Sequence, residues 1–300
     1  MPTEVDETES SNKLDEIEKH EINIQYHLYL VFFILIYFGS FMIPGITYLL
    51  YFLLVFQPYV LNNSDFFSLF IDLHPLIALL GFPLIMIISY LLHLFFIGVV
   101  TRLCWAFTEK MSATKDGVIP RNIPSDTLNY YHIRSFIIKY GKYAFTKGLF
   151  PWLSNWFYNF VGSSKIGKRT TIEEEIVADK YIDVGDNCYI GVNSAICSHV
   201  VEGFFGRIPY FEIKIRDNST CSAFNIVGPG CELKENSYVL PLGSFGKHQV
   251  TKGGKYYFGL PARKIFTKKI MEYLKISEAD LKKDENLLKT QKMRRNQKKS

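Results

Sequence analysis

Residues 182–200 read IDVGDNCYIGVNSAICSHV. An aliphatic side chain returns every six positions, at Val184, Ile190 and Ile196, and a glycine follows the first two, at Gly185 and Gly191. The same step reaches back through Ile166, Ile172 and Ala178, and forward through Ile215, Cys221, Val227, Leu233 and Val239. Nine of these eleven positions are Ile, Leu or Val, so the period is a property of the segment and not of one motif. A companion series four residues later in each unit (Thr170, Ile176, Ile182, Cys188, Ser194 and Val200, then Ser219, Asn225, Cys231, Ser237 and Gly243) is mostly small or β-branched. A fixed internal period decides the architecture before any local propensity does.

A six-residue period has a physical cause. A triangular coil of three short parallel strands, about 18 residues per turn, points one aliphatic side chain inward per face and needs a small residue near each corner. Its backbone hydrogen bonds run between stacked coils, so no coil is stable alone. In this frame Cys188, Cys221 and Cys231 are small core residues. The five cysteines form no CxxC pair and are odd in number, which argues against a disulfide scaffold and for a reducing, cytosolic setting. The period slips once. Ile196 and Ile215 stand 19 positions apart, one more than three hexads, and the intervening SHVVEGFFGRIPYFEIK does not follow the pattern. A loop is expected to leave the coil there.

Upstream, the character of the chain changes. The 300 residues are 48% hydrophobic and 16% aromatic, too apolar for a disordered chain, yet His20–Thr101 contains no Lys or Arg. Net charge is −6 over residues 1–25, −2 over 26–100 and +13 over 101–300, so the overall +5 describes no part of the molecule. The apolar run Leu28–Phe56 exceeds the roughly 20 residues that cross a ~30 Å hydrocarbon layer. Pro44 inside it predicts a kink, or else two short re-entrant halves. A second span is expected from Pro75 to about Thr101. The acidic tail before the first run and the run's length argue against a cleaved signal peptide. Bases are absent between the spans, whereas Arg102, Lys110, Lys115 and Arg121 follow the second, which predicts both termini and the repeat domain in the cytosol. His74 and His93 are read as packing residues. Residues 127–160 mix Lys139, Lys142 and Lys147 with Trp152, Trp156 and many Tyr and Phe, the composition of interfacial helices or of an aromatic plug against the next domain.

The expected organisation is therefore an acidic disordered tail (1–25), a transmembrane helical hairpin (26–104), an interfacial aromatic region (105–164), the repeat domain (165–266) and a basic C-terminal helix and tail (267–300). The tail, with 11 bases and five acids, points to anionic headgroups at about 1 kcal/mol per base, not to nucleic acid. Ser277 before Glu278 and Asp280 reads as a helix N-cap.

The hexads VGDNCYIGVNSAI and ENSYVL, with the exit YFGLPARKI, resemble the hexapeptide-repeat, left-handed parallel β-helix acyltransferases over about 165–266. With the spans, KDGVIP and FPWLSNWFYNFVGSSKIG, the whole resembles membrane-anchored members of that group, including regions appended to amino-acid-homopolymer synthetases. The fold class expected is mainly β, a left-handed β-helix preceded by an α-helical hairpin. The resemblance implies a homotrimer with acyl-CoA, most simply acetyl-CoA, as donor co-substrate and no permanently bound cofactor. It also implies a histidine general base at an inter-subunit cleft.

His199 matches that base by position, and its near-neutral reference pKa suits the task. Glu202, three residues on, either orients the imidazole or is a solvated loop charge, and Arg207 is a weaker candidate to meet an anionic substrate group. Asn225, polar where the hexad prefers a small residue, is either a ladder element or a cleft donor to substrate. Gly228, Lys247, Arg263 and Lys264 match the donor-binding positions. The acceptor implied is a membrane-held hydroxyl or amine, because an anchor serves no freely soluble one. A metal-dependent carbonic anhydrase needs three imidazoles, and the repeat region holds only His199 and His248. The non-enzymatic alternative is a trimeric β-helix scaffold that clusters membrane partners.

Overall fold

The computed structural model describes residues 26–173 and 180–266, with scattered positions between 271 and 286. The expected acidic tail (1–25), nearly all of the expected C-terminal helix and tail (267–300), and the repeat positions Ile176 and Ala178 lie outside the described residues.

The chain begins with helix α1 (Tyr26–Tyr51), which passes through Pro44 without a break and continues as a π-helical segment, Phe52–Leu61. The departure from α geometry thus comes at Phe52 and not at Pro44, and the two-halves alternative is not seen. After a short helical turn (Ser68–Ile71), helix α2 runs from Leu73 to Met111 with Pro83 inside it. The two helical stretches, 36 and 39 residues, are long and apolar enough to cross a membrane. Their outward faces are large aliphatic and aromatic side chains such as Leu30, Leu49, Leu54, Leu80 and Leu84, all exposed.

Strand β1 (Gly117–Pro120) follows, then helix α3 (Asp126–Thr146), whose N-cap Ser125 accepts a hydrogen bond from Leu128 N. A single 3-10 turn (Pro151–Leu153) leads into helix α4 (Ser154–Val161), closed by Gly162 in the left-handed region. This middle region packs on the cytosolic ends expected of the hairpin. His93 bridges α1 and α3, with Nδ1 3.2 Å from Ser40 O and Nε2 3.1 Å from Tyr140 Oη, so its place is structural. Arg102 donates to Phe160 O at 2.8 Å and lies over the Phe160 ring. Arg134, almost fully buried, pairs with Glu109 at 3.1 Å and donates to Thr108 O at 2.9 Å, fastening α3 to the end of α2. α3 and α4 meet so closely that a Cβ on Gly141 would stand 2.2 Å from the Phe157 ring. Phe145, Trp156 and Phe157 form an aromatic plug, while Tyr143, Leu149 and Trp152 stay exposed.

The repeat folds as a three-sided parallel β-helix. One face stacks β2 (Lys165–Ile166), β4 (Ile182–Val184), β8 (Ile213–Ile215) and β11 (Glu232–Leu233). The second stacks β3 (Thr171–Ile172), β5 (Tyr189–Ile190), β9 (Thr220–Cys221), β12 (Tyr238–Val239) and β14 (Tyr256–Phe258), with β15 (Arg263–Ile265) turned back antiparallel on its edge. The third stacks β6 (Ala195–Ile196), β10 (Ile226–Val227) and β13 (Ser244–Phe245). Registers such as Ile166 with Val184 and Val239 with Tyr257 step by 18 residues, as three hexads require. Every described member of the aliphatic series is buried, Phe245 extends it, and Cys188, Cys221 and Cys231 lie in the core. Burial pushes the Cys221 thiol up to about 12, as befits a packing residue. Asn155 and Asn159 of α4 bond the backbone at Thr170 and Ile166, so the first coil stacks on the helical layer instead of ending in water.

Two expectations change. The helices carry more residues than the strands, because each hexad gives only two or three ladder residues; "mainly β" holds for the repeat region alone. The loop is also larger than one slipped residue. Val184 pairs with Ile215, 31 positions on instead of 18, so 13 residues are inserted within a single hexad step. Val200, read as an inward corner, consequently sits on that insertion and is exposed.

Candidate functional site

The insertion folds back as a hairpin. Glu202 and Arg207 exchange backbone bonds at 2.9 and 3.3 Å, His199 bridges Tyr210, and the returning strand β7 (Arg207–Tyr210) pairs antiparallel with β1. Ile119, Leu128, Tyr131, Ile208 and Tyr210 form a small core beneath it. The hairpin is thereby fixed to the helical layer of its own chain, and its tip, Phe204 and Phe205, projects exposed.

His199 stands at the base of the hairpin, half-buried. Its ring meets the edges of Tyr131 on α3 (5.4 Å between centroids) and Tyr210 on β7 (6.4 Å). Beneath both tyrosines lies Lys180, fully buried. Its ammonium is 3.7 Å from the Tyr131 ring centroid and 5.2 Å from that of Tyr210, and it donates to Tyr131 O at 2.9 Å and Ser135 Oγ at 2.6 Å. Ser198, beside His199, donates to Lys180 O at 2.7 Å. Burial, with the charges of Lys180 and Arg121 nearby, holds the neighbouring His132 below the usual imidazole range. Burial, reinforced by Asp116, pushes Tyr181 up to about 12. Sequence reasoning missed Lys180, Tyr131 and Tyr210. Lys180 belongs to neither six-residue series and Tyr131 lies in another domain of the sequence, so no spacing connects them.

Three other expected site residues come together. The carboxylate of Glu202 accepts from Arg207 Nε at 2.5 Å through one oxygen and from Lys247 Nζ through the other. Arg207 also lies over the Phe205 ring at 4.9 Å. Glu202 therefore ties the hairpin to a later coil instead of standing as a solvated loop charge. Lys247 enters the same cluster. The expectation for Asn225 as a substrate group is overturned by its burial: no part of it is exposed, and Nδ2 donates to Leu240 O at 2.7 Å and Gly243 O at 3.3 Å. It is the ladder element, closing a corner between coils. Gly228 is buried and donates to Phe245 O at 3.0 Å; a Cβ there would also stand 3.0 Å from that oxygen, so a side chain would crowd the next coil. Arg263 and Lys264 lie exposed on β15, opposite Phe258 and Tyr257. Among the described residues no cluster of three or more His, Cys, Asp or Glu has metal-ligand geometry.

A half-buried imidazole, backed by two tyrosines and a buried cation, can take a proton from a hydroxyl or amine.

No family model matches the chain. Among curated proteins it is similar to YvoF of Bacillus subtilis, provisionally named an acetyltransferase, at 28% identity over 124 residues, 40% of this chain and 70% of that protein. Among solved structures it is similar to a hexapeptide-repeat acetyltransferase of Vibrio cholerae in complex with acetyl coenzyme A. That likeness has 16% identity, 42% of this chain, 81% of that one and a TM-score of 0.36. A maltose O-acetyltransferase of Clostridium difficile covers 56% of this chain and 86% of its own at 15% identity and a TM-score of 0.31. A galactoside acetyltransferase in complex with coenzyme A covers 36% and 56% at 20% identity and a TM-score of 0.28.

Proposed function

We propose that this protein is a membrane-anchored acyltransferase. It moves an acyl group, most simply acetyl, from coenzyme A to a hydroxyl or amine of a membrane-held acceptor. The observation that carries the reading is the single interruption of the coil. Among the described residues the hexads run regularly except for one 13-residue hairpin, and the histidine at its base is the one that the family resemblance marks as general base. The similarity to an acetyltransferase of Bacillus subtilis over most of that protein's length supports the same chemistry.

In this reading His199 accepts the proton as the acceptor oxygen or nitrogen attacks the thioester carbonyl. The tetrahedral intermediate collapses with loss of the coenzyme A thiolate, which recovers a proton. Arg263, Lys264 and Lys247 offer charge to the donor's phosphates, and Gly228 lets two coils close beside the pantetheine. Arg207 faces an anionic part of the acceptor. The active form is a homotrimer of left-handed β-helices, whose clefts between copies complete each site.

The anchor sets the acceptor. α2 extends about 58 Å at 1.5 Å per residue, nearly twice a ~30 Å hydrocarbon core. One half therefore lies outside the lipid, where α3 and α4 pack against it. The absence of Lys and Arg between the spans favours a cytosolic β-helix. A groove of about 650 Å³ between α1, α2 and α3, lined by Leu28, Val31, Phe32, Leu35, Phe107 and Ile133, offers room for part of a lipid chain.

Replacing His199 by Ala tests the base. The expected loss in rate is roughly 10²- to 10⁴-fold with acyl-CoA binding retained. Unchanged transfer in the folded variant would remove His199 from the mechanism and move the protein toward the scaffold reading.

A further inference from the structure

We propose that Lys180 is a positioning residue for His199: from inside the core it clamps Tyr131 and Tyr210 into the wall on which the imidazole rests, joining the helical layer to the coil at that point. The inference rests on the assignment of His199 above for its catalytic consequence, but its structural content does not.

A fully buried ammonium is expensive to maintain, and such groups are kept where they are bonded and where their charge or geometry has a use. Lys180 bonds α3 twice, through Tyr131 O and Ser135 Oγ, while its own carbonyl accepts from Ser198, the residue before His199. One side chain thus spans the seam between α3 and the coil from which the hairpin departs. The two rings it touches are the two that flank the imidazole. Through the Tyr131 ring, ammonium and imidazole are no more than about 9 Å apart, close enough for one unit charge to act on the other at an effective dielectric of about 20.

Among the described residues, the charged and titratable groups around the imidazole are as follows. α3 supplies Tyr131, His132 and the buried Arg134; β7 supplies Tyr210 and Arg207. The hairpin supplies Glu202, already bonded to Arg207 and Lys247, and the coil supplies Lys180 and Tyr181, the latter beside Asp116. Arg121 lies against the hairpin at Gly203 and also acts on His132. Lys180 is the cation in contact with both rings, and its charge favours the neutral, proton-accepting imidazole.

The test follows the imidazole directly in the full chain in detergent, by ¹³C-histidine NMR titration with the His199 signal assigned through His199→Gln. In Lys180→Met the titration midpoint of His199 is expected to rise by about one pH unit, and the acid limb of kcat/KM with it. In Lys180→Arg, which keeps the charge, the midpoint is expected to stay within a few tenths of a unit. A folded Lys180→Met protein with an unmoved midpoint overturns the proposal, as does an equal displacement in both variants. Should Lys180→Met not fold, Tyr131→Leu decides. It keeps the charge and the backbone acceptor but removes the shared ring, and it is expected to lower kcat severalfold with KM for acyl-CoA unchanged and to broaden the His199 signal. A wild-type His199 signal in Tyr131→Leu overturns the clamp. Because the titration needs no turnover, failure of His199→Ala to affect transfer would refute the base assignment without deciding Lys180.

Discussion

At the residue scale, the chemistry of individual side chains separates site from scaffold. Asn225 reads in the sequence as either a ladder element or a cleft donor, and in the structure it braces a corner between coils. Asn225→Ala should cost about 1–3 kcal/mol of stability, because its two buried bonds to the Leu240 and Gly243 carbonyls are lost, each carbonyl keeping only its backbone donor, and should leave KM for either substrate unchanged. Chemical denaturation beside steady-state kinetics reads both. His132 makes a pH prediction. Burial and the nearby charges of Lys180 and Arg121 depress its folded pKa below the unfolded value, so the unfolded chain takes up the proton more readily. Its contribution to stability is therefore retained above the unfolded pKa of about 6.5 and falls away as pH drops below it. Melting measured from pH 7.5 to 5 should show that loss, and His132→Gln should flatten it. Neither Lys180 nor Tyr131 was legible in the sequence as a site residue. Their meeting depends on a long-range seam between α3 and the coil, which no spacing within one segment encodes.

At the element scale, the repeat was legible because its physics is local: each hexad must bury one aliphatic residue and turn one corner, and the six-residue step follows. Ile190 and Val227 sit where that step puts them. The size of the insertion was not legible. A spacing of 19 fits one coil plus one residue as well as one hexad step plus 13, and only the pairing of Val184 with Ile215 separates the two. Nor did a mid-run proline locate the irregularity of α1, since the π-helical turn begins eight residues after Pro44. The helical layer makes its own prediction. Gly141 allows α3 to touch Phe157 of α4, so Gly141→Ala should force the ring aside and destabilise the layer by about 1–3 kcal/mol. The companion substitution Tyr143→Ala, at an exposed position of the same helix, should change stability by less than about 0.5 kcal/mol.

At the scale of the whole molecule, one continuous core runs from Leu94 and Ile97 of α2, through Phe145 and Phe157, into the coils. The β-helix is therefore built onto the helices and not tethered to them by a linker, which explains why the catalytic candidate His199 leans on α3. The apolar runs without Lys or Arg pointed to two long helices, whereas the intimacy of their junction with the repeat came only from the packing. The central claim, that this assembly transfers an acyl group from coenzyme A, is tested most directly by calorimetry of the full-length protein in detergent with acetyl-CoA, wild type beside Lys247→Ala and Arg263→Ala. The account predicts saturable binding to the wild-type protein that each substitution weakens. A folded protein that binds no acyl-CoA would contradict it.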